Sequence, residues 1–126
     1  MNEMANIETS SAVLSDEIIT AIEDIKGEEI VKLDLRNIDN SVADFFVVCS
    51  GGSNTHTSSI AQFISKEVSK KLHEKPFKTE GQQNAEWVLM DYGSVVVHVF
   101  QRHIRDFYQI EELWSDAERT DHEDTI

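Results

Sequence analysis

Two runs of β-forming residues, Trp87-Val88-Leu89-Met90-Asp91-Tyr92 and Val95-Val96-Val97-His98-Val99-Phe100, are separated only by Gly93 and Ser94. A two-residue connection that begins with glycine lets the backbone take a positive φ and reverse on itself, so the spacing predicts a β-hairpin. The turn sets the register: Tyr92 faces Val95, Asp91 faces Val96, Met90 faces Val97, Leu89 faces His98, Val88 faces Val99 and Trp87 faces Phe100. Side chains alternate across a strand, so Val88, Met90, Tyr92, Val95, Val97 and Val99 share one face, apolar enough to lie beneath helices. Trp87, Leu89, Asp91, Val96, His98 and Phe100 share the other. Aromatics mixed with a carboxylate and an imidazole match the make-up of binding interfaces, and this face is expected to lie open to water as a docking surface. A slip of one residue would exchange the faces, and a plain Trp87–Phe100 stack beneath a loop is the competing reading.

The hairpin must find a sheet to join, and the rest of the chain supplies one. Leu14, Ile18, Ile19, Ile22 and Ile25 recur at helical spacing before Gly27, which is placed to stop the helix. Val31, Leu33 and Leu35 alternate with Lys32 and Asp34, as in a half-exposed strand. Phe45-Phe46-Val47-Val48-Cys49 does not alternate and suits a central strand covered on both faces. Ile60, Phe63, Ile64, Val68 and Leu72 restore the helical period up to Pro76, and Phe77–Glu80 is a short extended piece. Phe107, Ile110, Leu113 and Trp114 suggest a last helix. The order predicts an α+β fold, a single mixed β-sheet of about five strands with helices mainly on one face. It forms one domain over 12–117, with a flexible lead-in over 1–11 and a disordered acidic tail over 118–126.

Charge and motif content narrow the function. Twenty-four acidic against eleven basic residues give a net charge of −13, which opposes binding to bare phosphate backbones and favours encounter with basic protein surfaces. The longest apolar run is too short to span a membrane, and the N-terminus lacks a secretory or transit signal, so a cytoplasmic location is expected. Cys49 is a lone cysteine inside an apolar run and reads as a small buried hydrophobe. His56, His73, His98, His103 and His122 lack metal-ligand spacing, and no metal or cofactor is expected. Ser50-Gly51-Gly52-Ser53 follows a strand and opens a helix, where an anion could sit. It lacks the Lys-Ser/Thr of a phosphate loop and the GxGxxG of a dinucleotide site, and either Asn54 or Thr55 could cap the helix. Ser53 with His56 or His98 has no nucleophile-elbow context. An enzyme is therefore disfavoured, and a nucleotide-binding or nucleotidyltransferase-like enzyme is kept as the alternative.

Several of these segments together resemble the ribosomal silencing factor family, also called Iojap-related. The likeness is carried by Glu80-Gly81, Ala85-Glu86-Trp87-Val88-Leu89-Met90-Asp91-Tyr92-Gly93, Val97-His98-Val99-Phe100 and Arg105-x-Phe107-Tyr108-x-Ile110-Glu111-x-Leu113-Trp114-x-Asp116-Ala117. Leu33-Asp34-Leu35, Ala43-Asp44-Phe45-Phe46-Val47-Val48 and Cys49-Ser50-Gly51-Gly52-Ser53 extend it upstream. The resemblance implies a factor that binds large-subunit ribosomal protein L-fourteen and blocks joining of the ribosomal subunits, lowering translation when nutrients are scarce. It also implies a nucleotidyltransferase-like topology without that activity; Phe77-Lys78-Thr79-Glu80 offers one acid where a two-metal site needs a pair. Partner contact would fall to Trp87, Leu89, Asp91, His98 and Phe100, with Tyr92, Arg105 and Tyr108 as neighbours. The chain departs from the commoner family pattern at His56, Gln109 and Ile110. A homodimer of the free protein, built on the uncovered aromatic face, is a further expectation.

Overall fold

In the computed structural model, which describes residues 9–122, the first helix α1 spans Ser11–Asp24. It starts where Ser10 accepts a hydrogen bond from the Val13 N–H at 3.1 Å, and ends as Lys26 takes a positive φ and the Gly27 N–H returns to the Ile22 carbonyl. Strand β1 (Glu28–Asp34) and strand β2 (Phe45–Gly51) pair antiparallel. The long helix α2 (Asn54–Leu72) is capped by Ser53 rather than by Asn54 or Thr55, the Ser53 hydroxyl accepting from the His56 N–H. It stops at His73, whose left-handed conformation precedes Pro76. Strand β3 (Lys78–Glu80), strand β4 (Trp87–Asp91) and strand β5 (Val95–Gln101) then form a meander.

The β4–β5 register is the predicted one, from Trp87 opposite Phe100 to Asp91 opposite Val96. The Tyr92 N–H closes the turn on the Val95 carbonyl, and Gly93 has a φ of +88°, which a side chain would strain. β5 runs parallel to β2, and every residue of β2 is buried, as a two-sided central strand requires.

The expected single last helix is two short ones, α3 (Arg102–Tyr108) and α4 (Ile110–Leu113), broken at Gln109 with φ 46°. The expected disordered tail is also corrected. Glu118–His122 form strand β6, antiparallel to β1, so the sheet has six strands in the order β3-β4-β5-β2-β1-β6. Unpaired backbone groups at the β1 edge explain why so polar a segment pairs at all. The remainder of the expected lead-in and tail, residues 1–8 and 123–126, lies outside the described residues. No helix among the described residues is long and apolar enough to cross a membrane.

The α+β class is as expected, with α1 and α2 packed on one face of the sheet. Ile18, Ile22, Ile60, Ile64 and Val68 from these helices meet Val47, Val88, Met90, Val95, Val97 and Val99 there. Each such side chain contributes about 1.5–3 kcal/mol on full burial. Cys49 lies in this layer, and burial pushes its thiol up to about 12.

Candidate functional site

The sheet face opposite α1 and α2 is not open to water. Phe100 is 0 %, His98 3 % and Val96 8 % exposed, and Trp87, Leu89 and Asp91 are only half-buried. Val96 and Phe100 belong to a second core with Leu33, Phe46, Val48 and Ile110, against which Trp87, Leu89, Ile104 of α3 and Trp114 pack, and His98 lies among its rings. The expectation of an exposed pad is thereby overturned for His98, Phe100 and Val96. The physical reason lies downstream of the hairpin: the chain leaves β5 straight into α3, folds over the aromatic row and returns to the sheet as β6.

Inside this layer the rings order one another. Trp87 stacks on Phe100 with centroids 4.8 Å apart, and His98 meets the edge of Phe46 at 4.7 Å. The Trp87 indole N–H donates to His98 Nδ1 at 3.1 Å, which leaves the proton of the neutral imidazole on Nε2. That nitrogen is buried and has no partner among the described residues. Burial lowers the His98 pKa to about 4, opposed in part by the charge of Glu111. His98 is therefore a neutral core histidine at ordinary pH.

Tyr92 and Arg105, expected as neighbours of a partner, are also inside. Tyr92 faces the α1–α2 layer, and burial raises its hydroxyl above the usual phenol range. Arg105 clamps α3 to the sheet. Its guanidinium donates to the Glu29 carbonyl at 2.7 Å, to Ser50 Oγ at 2.8 Å and twice to Glu111 Oε2, at 2.7 and 3.1 Å. Asp91 holds the hairpin turn, accepting from the Gly93 N–H at 2.8 Å.

Large apolar side chains on α3 and α4 do reach solvent. Phe107 is 78 %, Leu113 77 % and Tyr108 48 % exposed. Tyr108 packs against Trp87 at 4.9 Å and Phe107 meets its edge at 5.1 Å. A cleft of about 220 Å³ opens beside them, lined by Gly81, Asn84, Glu86, Trp87, Ile104 and Tyr108. Asp106, Glu112 and Glu86 form no ion pair among the described residues. The sequence placed Phe107 and Leu113 together with Ile110 and Trp114 on one last helix. The left-handed Gln109 resets the helical period and turns them outward, and a glutamine there carries no signal of such a break.

The glycine turn before α2 has little room or valence for an anion. The Gly52 N–H donates to His56 Nδ1 at 3.0 Å, and His56 Nε2–H donates to the Ile25 carbonyl at 3.0 Å. A Cβ on Gly51 would lie 2.6 Å from Thr57 Oγ1, so the glycine serves the close approach of α2 to the end of β2.

Comparison with known proteins points one way. The family described as "Ribosomal silencing factor during starvation" matches residues 8–126. The chain is 38 % identical over 108 residues to ribosomal silencing factor RsfS of Halalkalibacterium halodurans, covering 86 % of this chain and 91 % of that protein. It is 41 % identical over 101 residues to RsfS of Bacillus subtilis, covering 80 % and 84 %. A crystal structure of a Chromobacterium violaceum protein superposes with a TM-score of 0.80 at 36 % identity, covering 85 % of this chain and 88 % of that one.

Proposed function

The chain belongs to the ribosomal silencing factor family, and from that premise we propose that it binds the large ribosomal subunit through ribosomal protein L-fourteen and keeps the small subunit from joining. The family match over residues 8–126 carries the reading. It requires no covalent step: a protein of net charge −13 is drawn to a basic ribosomal surface, apolar anchors hold it, and its bulk excludes the other subunit. Repression of translation under nutrient limitation, in the cytoplasm, is the consequence.

Burial moves the anchors. Tyr108 and the half-buried Trp87, Leu89 and Asp91 keep some access to a partner, whereas His98, Phe100, Tyr92 and Arg105 act from within by holding that surface in shape. Phe107 and Leu113 join the contact set, because large apolar side chains held in water on an acidic protein gain most from a basic partner with apolar pockets.

The test is co-sedimentation with isolated large subunits, followed by a subunit-joining assay. Phe107→Ala with Leu113→Ala should weaken binding by about tenfold or more while the melting temperature stays unchanged, since neither side chain is buried. Full binding by that variant and by Trp87→Ala would remove the proposed surface. Normal joining of subunits saturated with the natural protein would remove the proposed function.

A further inference from the structure

The cations of this chain are not spread evenly. Residues 45–78 hold five of the eleven Lys and Arg but two of the twenty-four Asp and Glu, so one stretch is net positive inside a protein of net charge −13. Elsewhere Lys32, Arg36, Arg102, Arg105 and Arg119 each stand within ion-pair distance of a carboxylate. In the positive stretch Lys71 and Lys78 are paired as well. Lys66, Lys70 and Lys75 are exposed and, like Lys26, have no ion pair among the described residues.

Lys66 and Lys70 stand one turn apart on α2, about 6 Å along its axis. Ile60, Ile64 and Val68 are buried against the sheet, and the helical period puts the two lysines on the opposite side, in line with Thr55, Ser59 and Gln62. The one acid of α2, Glu67, pairs instead with Lys71, which also reaches Glu17 of α1. The outer line of the helix thus carries no carboxylate of its own.

Towards the start of α2 this line borders a cleft of about 320 Å³, lined by Asn54, Thr55, Ser58, Gln62, Gln82 and Gln83. Amides and hydroxyls both donate and accept, which matches a ribose hydroxyl; a carboxylate on an acidic protein only accepts and would leave half of that capacity unused. Free ammonium groups one helical turn apart suit successive phosphates of one strand. An anionic bilayer fits less well, because α2 exposes no large apolar side chain to enter it. The cleft also adjoins the docking surface described above. Gln82 and Gln83 line it, while Gly81, Asn84 and Glu86 of the same loop line the cleft beside Tyr108.

We propose that the outer face of α2 contacts the phosphate–ribose backbone of RNA, with Lys66 and Lys70 on phosphates and the cleft at Gln62 on riboses. The net charge keeps this contact weak on free RNA. It operates once another surface holds the protein beside RNA, where high effective concentration makes up for low affinity. It therefore rests on the ribosomal reading, which supplies both the first contact and the RNA.

Co-sedimentation of the full chain with isolated large subunits over a salt series, beside binding to purified ribosomal protein L-fourteen alone, tests it. Lys66→Gln with Lys70→Gln should weaken binding to the subunit by about tenfold at low salt and make its salt dependence shallower by about one unit of slope per lysine. On the isolated ribosomal protein the same variant, now more acidic, should bind as well as the natural chain or better. Lys66→Arg with Lys70→Arg keeps the charge and should hold the natural affinity on the subunit within about threefold. Both lysines are exposed, so the melting temperature should not move in either variant. If the glutamine variant sediments with subunits as well as the natural chain does, the RNA contact is overturned and the ribosomal reading stands. An equal loss on the ribosomal protein alone would make the partner an acidic protein surface and overturn it too. A natural chain that does not sediment with subunits removes both readings.

Discussion

Under α1 and α2 the sheet buries mostly aliphatic side chains, with Phe45 and Tyr92 among them, whereas under α3 and α4 a row of rings is joined by an imidazole and a guanidinium. The covering helices differ to match. α1 and α2 run for 14 and 19 residues and each begins on a serine that caps it. α3 and α4 run for 7 and 4 residues and neither has a side-chain cap. A long amphipathic helix brings enough apolar surface to hold itself in place. A helix of one or two turns must be tied, and here Arg105 ties it with four hydrogen bonds to β1, β2 and α4. The same sheet thus carries one face that is stable by area and one that is stable by specific bonds.

The contrast breaks outright if the second face is not a core. Phe100→Ala should cost about 4 kcal/mol in chemical denaturation, the range for a fully buried phenylalanine. A loss under about 1 kcal/mol, typical of a surface change, would mean the aromatic row stands open in solution.

His98 sharpens the comparison through pH. Its folded pKa of about 4 lies below the unfolded value of 6.5, so between those limits the unfolded chain takes up a proton that the folded one refuses. Stability is complete above pH 6.5 and falls as the pH drops towards 4, by about 3 kcal/mol in all. Replacing His98 with leucine should remove that slope, leaving the carboxylate contributions. An unchanged slope between pH 7 and 5 would show that the imidazole is not sealed as described.

These two faces also divide what the sequence disclosed. The hairpin register, the central strand and the apolar face were legible because period and turn chemistry are local. The burial of His98 and Phe100 was legible only as the competing reading of a Trp87–Phe100 stack beneath a loop, because it depends on where a later segment folds back. Their polar company argued for exposure, yet the Trp87 indole N–H finds its acceptor in His98 Nδ1 across the strands. Nor does β6 announce itself: Glu118–His122 has no apolar alternation and forms a strand only because β1 leaves it an edge. The site residues divide similarly. Trp87 and Tyr108 touch as neighbours, while Tyr92 sits on the opposite face and Arg105 beneath the helix it anchors.

Arg105→Lys probes the tie directly. An ammonium cannot reproduce the planar fork, so contacts to Glu29, Ser50 and Glu111 cannot all persist, and about 2 kcal/mol should be lost. Amide exchange should quicken in α3 and α4 and stay slow in α2. Equal acceleration in all helices would mean that Arg105 supports the whole domain rather than its second face.

The smallest effect concerns the helix that needs no such tie. Ser10→Ala removes the oxygen that accepts the Val13 N–H at the start of α1, and should cost about 1 kcal/mol. The loss should appear as faster exchange confined to the first turn, because Leu14, Ile18 and Ile22 still anchor the helix below it. If exchange spread along α1 to Ile22, the apolar stripe would be holding less than its burial implies. The first face would then depend on a single bond as the second does, and the distinction between area and tether would fail.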